Sequence, residues 1–161
     1  MKPLVVILIG SKADLEHGNK ISDACKQFGL ETALRIASAH KTAEHALAIL
    51  RKYEADPRPK VFVTVAGRSN ALSGFIDGAV SAPVIACPPV SEAFGGADIF
   101  SSLRMPSAIA PAVVLDPANA ALLAAKILGL VDANVREKVR AFQKEQARKI
   151  IDDDKKLEIG G

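Results

Sequence analysis

The run Leu4-Val5-Val6-Ile7-Leu8-Ile9 constrains the fold more than any other stretch of the chain. It has no polar interruption and is rich in β-branched residues, so as a strand it has no side to show to water. Such a strand is covered on both faces and sits inside a parallel sheet. Gly10-Ser11-Lys12-Ala13-Asp14 breaks the run. Helical periodicity follows from about Leu15 to Phe28, with Ile21, Ala24, Cys25 and Phe28 on one stripe. Gly29 then stands where a helix commonly ends in the left-handed conformation.

The same alternation continues along the chain. A strand is expected at Glu31–Ile36, a helix from about Thr42 to Tyr53, and a strand at Val61–Val65 after the turn Asp56-Pro57-Arg58-Pro59. A helix over Ala71–Val80, a short strand Val84–Cys87 and the pair Pro88-Pro89 come next. A long loop carries Gly95-Gly96 and a helical turn near Ile99–Leu103. The last strand is expected around Ala112–Leu115. A helix from Pro117 to about Leu128 follows, with proline at its first position, and a final helix runs from about Asp132 to Ile151. The charged end, 152–161, is expected to fray. Strands alternating with helices define an α/β fold, a three-layer α/β/α sandwich on a doubly wound parallel five-stranded sheet. The expected order is flavodoxin-like, 2-1-3-4-5, with an extra C-terminal helix and one domain over residues 1–161. In that order the ligand crevice opens at the carboxyl ends of strands one and three. Those ends are the loops at Gly10–Asp14 and Ala66–Ala71.

Composition excludes several classes of function. The 161 residues carry a net charge of +3 and 4% aromatics, with no tryptophan and one tyrosine. Nucleic-acid binding usually needs a concentrated basic face with stacking rings, so no nucleic-acid partner is expected. No apolar run approaches the ~20 residues of a membrane span. With no leader-like start, a cytoplasmic location is the default. Cys25 and Cys87 have neither metal nor redox spacing and read as buried, reduced thiols. No metal site is expected.

Three loops carry candidate chemistry. Ser38-Ala39-His40-Lys41-Thr42 gathers an imidazole, an ammonium and two hydroxyls where a strand hands over to a helix, a setting that favours an anion. His40 is the histidine best placed for proton transfer near neutral pH; His17 and His45 fall within helices and read as surface residues. Gly10-Ser11-Lys12-Ala13-Asp14 is able to cradle a phosphate with Asp14 on ribose hydroxyls, or Ser11 and Asp14 simply cap the next helix. In Ala66-Gly67-Arg68-Ser69-Asn70-Ala71, small residues allow close approach to backbone. Ser69 and Asn70 add donors there or cap a helix, and Arg68 suits an anion or an intersubunit pair.

With Cys87-Pro88-Pro89, Ser101-Ser102-Leu103-Arg104-Met105-Pro106-Ser107 and Asn119-Ala120-Ala121-Leu122-Leu123-Ala124-Ala125, these segments resemble the aminoimidazole ribonucleotide (AIR) carboxylase family of purine biosynthesis over nearly the whole chain. The bacterial mutase branch moves a carboxyl group from N5-carboxy-AIR to C4; its histidine is usually followed by arginine, and its third-strand loop holds more glycine and a further histidine. Lys41 and Arg68-Ser69-Asn70 resemble instead the class II branch, which uses carbon dioxide directly. The resemblance implies His40 as the catalytic proton-transfer group. It implies Lys41 and Ser38, beside Ala39, at the phosphate, and Gly10, Ser11 and Asp14 at phosphate or ribose. Loop donors around Ser69, Asn70 and Ala71 would hold carbon dioxide and the new carboxylate, with Ala66, Gly67 and Arg68 also among the substrate-binding residues. Arg104, Met105 and Pro106 would close over the site, from the same or a neighbouring subunit. Ala13 stands where the family often has serine, and Ala71 where animal relatives have glycine.

The implied partners are AIR, carbon dioxide and further copies of the chain in a homo-octamer. No cofactor is implied, because C4 of an aminoimidazole is nucleophilic enough to attack carbon dioxide without biotin or ATP. N5-carboxy-AIR mutase activity is the nearest alternative. A non-catalytic flavodoxin-like nucleotide-binding module is the alternative of another class, but this chain lacks the rings that stack on a flavin.

Overall fold

The computed structural model describes residues 1–159. Five strands, β1 (Leu4–Ile9), β2 (Glu31–Ile36), β3 (Lys60–Val65), β4 (Val84–Ala86) and β5 (Ala112–Val113), form one parallel sheet in the order β2-β1-β3-β4-β5. The connecting helices are α1 (Leu15–Gln27), α2 (Ala43–Glu54), α3 (Ala71–Asp77), α4 (Phe100–Leu103), α5 (Pro117–Leu128) and α6 (Ala133–Ile159).

β1 lies between β2 and β3, and none of its six residues is more than 2% exposed. Because successive side chains point to opposite faces, the strand feeds two cores. Val5, Ile7 and Ile9 meet α1, α5 and the start of α6, while Leu4, Val6 and Leu8 meet α2 and α3. Each buried aliphatic side chain contributes roughly 1.5–3 kcal/mol, so a continuous apolar run is what this position needs. Edge strand β2 has mostly half-buried positions and uses an alternating sequence instead.

β1 leads to β2 on one side of the sheet, and the chain then returns to β3 on the other. The reversal puts α1 and α2 on opposite faces and opens a crevice above the carboxyl ends of β1 and β3. At the opposite end of the sheet, Arg58 clasps Asp56 (2.7 Å) and Glu31 (2.6 Å), tying the turn before β3 to the start of β2. Its guanidinium holds the Asp56 carboxyl down at about 2.

The elements depart from the sequence expectation at their ends. α3 stops at Asp77 rather than Val80, and β5 keeps two residues of the four expected. Over the segment expected to fray from 152, α6 continues to Ile159, with a Lys156–Asp153 pair one turn apart (2.7 Å). Gly160 and Gly161 lie outside the described residues. α6 is anchored near its start by Phe142, packed edge-on against Phe28 at 5.4 Å. Its later part leaves Ile150, Ile151 and Leu157 exposed. Among the described residues no helix is long and apolar enough to cross a membrane.

Gly18 lets α1 lie against the sheet. A Cβ there would fall 2.9 Å from Ile9 Cγ2 and 3.0 Å from Leu34 Cδ1. Glycine to alanine normally stabilises a helix by roughly 1 kcal/mol. Gly18→Ala is expected to do the reverse and destabilise by about 1–3 kcal/mol through overpacking, as read by urea unfolding.

Candidate active site

The crevice above β1 and β3 holds a cleft of about 490 Å3, within the usual range for a small-molecule site. Gly10, Ser11, Ala13 and Asp14 supply one wall, Ser38, Ala39, His40 and Lys41 a second, and Ala66, Gly67, Arg68 and Ser69 a third. Leu72 and the segment Pro89-Val90-Ser91 complete it. Loops more than fifty residues apart in sequence thus meet because their strands are neighbours in the sheet.

Each wall has a local reason for its shape. Asp14 accepts hydrogen bonds from the Ser11 amide (3.1 Å) and the Ser11 hydroxyl (3.0 Å), which closes the first loop into a tight turn. These bonds close the single 3-10 turn Lys12–Asp14 ahead of α1, whose own N-cap Asp14 makes no side-chain cap bond, and the Ser11 and Asp14 side chains line the cleft. In the second loop, the Ser38 amide donates to the Thr42 hydroxyl (2.9 Å) and the Lys41 amide to the Ser38 hydroxyl (3.3 Å). These bonds curl residues 38–42 ahead of α2, and the His40 and Lys41 side chains remain exposed.

The third loop is the most constrained. Arg68 has φ +60°, a left-handed backbone that non-glycine residues adopt at some cost. Its amide donates to Asp98 Oδ2 at 3.0 Å. The next residue but one, Asn70, turns inward. Its carbonyl oxygen accepts from the Ser73 amide (3.1 Å) and hydroxyl (2.9 Å), and its amide nitrogen donates to Ser102 Oγ (2.9 Å). Asn70 is 3% exposed and caps α3, so the capping alternative describes its side chain. Below it the buried Thr64 and Ser73 hydroxyls pair at 2.7 Å.

Of the sixteen residues expected at the site, eleven line this cleft within one protomer: Gly10, Ser11, Asp14, Ser38, Ala39, His40, Lys41, Ala66, Gly67, Arg68 and Ser69. Asn70, Ala71, Arg104, Met105 and Pro106 do not. Asn70 is committed to the cap, and Ala71 is the first residue of α3 behind it. Met105 packs against α3, where a Cβ on Gly74 would lie 3.0 Å from its sulfur, and Arg104 and Pro106 are exposed. Sequence reasoning did not assign Leu72 or Pro89-Val90-Ser91 to the site. The signal was the Pro88-Pro89 break directly after β4, which lies beside β3 in the sheet.

Two expectations about single residues change. His17 is half-buried rather than a surface residue: its Nε2 lies 3.4 Å from Cys87 Sγ, and burial lowers its pKa. Cys87 in turn points its sulfur at the Leu115 carbonyl, 3.6 Å away. Burial pushes both thiols up to about 12, so both stay protonated and unreactive. Among the described residues, no group of three or more His, Cys, Asp or Glu is placed to hold a metal.

A cleft of this composition at the switch point of a doubly wound sheet is a small-molecule site of the kind α/β enzymes build. Residues 4–149 match the family description "AIRC: AIR carboxylase". The phosphoribosylaminoimidazole carboxylase of Treponema denticola is 58% identical over 157 residues, spanning 98% of this chain and 99% of the relative. That of Archaeoglobus fulgidus is 56% identical over 152 residues, spanning 94% of this chain and 83% of the relative. The crystal structure of Treponema denticola PurE superposes with a TM-score of 0.95 at 58% identity, covering 97% of this chain and 99% of that one. The chain therefore belongs to the AIR carboxylase family of purine biosynthesis.

The thiol environments give a direct expectation. Iodoacetamide at about pH 8 should modify neither cysteine in the native protein and both in urea. Because each folded pKa lies above the ordinary value of 9.0, their contribution to stability is intact below pH 9. It should be lost as the pH rises from 9 toward 12, since only the unfolded chain then gains by ionising. Denaturation midpoints measured across that range check the sign.

Proposed function

We propose that this chain carboxylates 5-aminoimidazole ribonucleotide at C4 with carbon dioxide, giving 4-carboxy-5-aminoimidazole ribonucleotide. The observation that carries the reading is the meeting of His40 and Lys41 with the Gly10–Asp14 and Ala66–Ser69 loops in one cleft. The carboxylase names of the relatives support it at high identity.

The chemistry asks little of the protein beyond position and one proton transfer. The 5-amino group pushes electron density into the ring, and C4 attacks the carbon of carbon dioxide. One C=O electron pair moves to oxygen and becomes the carboxylate. C4 is then tetrahedral and carries both the new carboxylate and its hydrogen. Loss of that proton to a His40 ring nitrogen returns the C–H pair to the ring and restores aromaticity. Lys41 and the Ser38 hydroxyl bind the phosphate, with Ser11 and Asp14 on phosphate or ribose. Gly67, Arg68 and Ser69 leave room for a small linear reactant and offer donors to the developing carboxylate.

In this reading Asn70, which caps α3, and Ala71 shape this surface from behind rather than touch substrate. Arg104, Met105 and Pro106 do not line the cleft of their own protomer, so in this reading they serve a neighbouring subunit's cleft. Exposed Ile150, Ile151 and Leu157 on α6, with Leu130 and Val131, support self-association, for which a homo-octamer is the expected form. Light scattering tests that stoichiometry.

Mutase action on N5-carboxy-AIR is the competing reaction at the same cleft. Purified protein should form product from AIR in bicarbonate buffer and show no comparable turnover of N5-carboxy-AIR; the opposite preference overturns the proposal. His40→Asn should fold and bind AIR yet lose about a hundred- to ten-thousand-fold in kcat. Lys41→Ala should mainly raise the KM for AIR, by about tenfold for one lost charged phosphate contact. Steady-state kinetics with calorimetric AIR binding separate the two roles.

A further inference from the structure

The Gly67–Asn70 turn is held by a segment about thirty residues further along the chain. After β4 the backbone passes the cleft lip at Pro89–Ser91 and makes two short 3-10 turns, Glu92–Phe94 and Ala97–Ile99, before α4. Three side chains of this segment reach back. Asp98 Oδ2 accepts from the Arg68 amide (3.0 Å), Ser101 Oγ from the Asn70 amide (2.9 Å), and Ser102 Oγ from the Asn70 side chain (2.9 Å). Ser101 Oγ also donates to the Asp98 carbonyl (2.7 Å), which joins two of the anchors to each other.

The distribution of these bonds matters. Arg68 is in the left-handed region, where an arginine gains nothing intrinsically, so an outside contact must hold it there. Its amide is bonded to a carboxylate, the stronger class of acceptor for a backbone donor. Asn70 is fixed from two directions, and its own carbonyl caps α3. Ser69, between them, lines the cleft and has no side-chain hydrogen bond of its own among the described residues. The turn is thus clamped on both sides of the one residue whose hydroxyl and amide remain available to a ligand.

We propose that Asp98 is a positioning residue for the one-carbon reactant. By accepting from the Arg68 amide it keeps Gly67–Ser69 in the shape that receives carbon dioxide and the nascent carboxylate, while Ser101 and Ser102 fix the following residue. The assignment rests on the carboxylase reading of the cleft. It separates two tasks along the chain: His40 and Lys41 act on the nucleotide, and a distant loop sets the pocket for its partner.

Asp98→Ala should raise the KM for carbon dioxide by roughly tenfold to a hundredfold, the range for losing one charged hydrogen bond that fixes reactant position. The KM for AIR should stay within about twofold, because no nucleotide contact is touched. Asp98→Asn keeps an acceptor oxygen and should recover most of the loss. In an Arg68→Gly background, already slower for want of the arginine, Asp98→Ala should cost about threefold or less, since glycine adopts the left-handed backbone unaided. An unchanged KM for carbon dioxide in Asp98→Ala, a failure of Asp98→Asn to recover, or an equal loss in the glycine background each overturns the proposal.

Amide hydrogen exchange at Arg68 and Asn70 distinguishes this failure from failure of the carboxylase reading. Both amides should exchange faster in Asp98→Ala whether or not the wild-type protein turns over AIR; unchanged exchange removes the clamp itself. If Asp98→Ala does not fold, Ser101→Ala gives the same readout, with faster exchange at Asn70 and a smaller rise in the carbon dioxide KM. A silent Ser101→Ala then counts against the clamp.

Discussion

Burial of β1 on both faces is the constraint from which the rest of the molecule follows. A strand with no solvent side must have a neighbour on each edge and a helical layer above and below. Once β2 and β3 take those edges, the chain has to reverse direction around β1, and the reversal leaves a gap between the loops that leave β1 and β3. The cleft is a by-product of topology. Its position is decided by six apolar residues, none of which touches it.

On that frame the reactive groups are held by short-range bonds that cost little to arrange. Asp14 with Ser11, and Thr42 with Ser38, each close a loop within three or four residues. The third loop is different in kind. Its left-handed Arg68 is held by a contact across 30 positions, with Ser101 and Ser102 on Asn70, so its shape depends on the β4–β5 connection being folded. Rigid walls for the nucleotide thus sit beside a wall whose geometry is set at a distance.

The layers and strand order were legible because hydrophobic periodicity reports burial directly: Leu4–Ile9, Val61–Val65 and the stripe at Ile21, Cys25 and Phe28 all lie in the core. Gly29, at φ +73°, ends α1 as its sequence position indicated. Element ends were less legible. α6 runs on to Ile159 because alternating charges one turn apart suit an exposed helix as well as a loose tail. In the site, the local loop motifs could be read, but the direction of a side chain could not. Asn70 carries the same donors whether it faces a ligand or caps a helix, and only the positions of Ser73 and Ser102 decide between them. His17 reads as a surface residue from its helix alone, since Cys87 is 70 positions away. Asp98 gives no local sign of its reach to Arg68 for the same reason.

The cleft wall consists of glycine, alanine, serine, proline, aliphatic and charged side chains with one imidazole, and both cysteines are sealed in the core. Among the described residues of one protomer, no sulfur atom and no phenol or indole ring lines the cleft. Within one protomer's wall peroxide has no thiol or thioether to oxidise; in the assembly proposed above, the sulfur it would meet is a neighbouring subunit's Met105. The same absence makes the pocket spectroscopically dark: with no tryptophan in the chain and Tyr53 buried on the inner face of α2, outside the cleft wall, occupancy leaves intrinsic fluorescence almost untouched. Titrations of this protein must therefore follow heat, mass or a chromophore carried by the ligand.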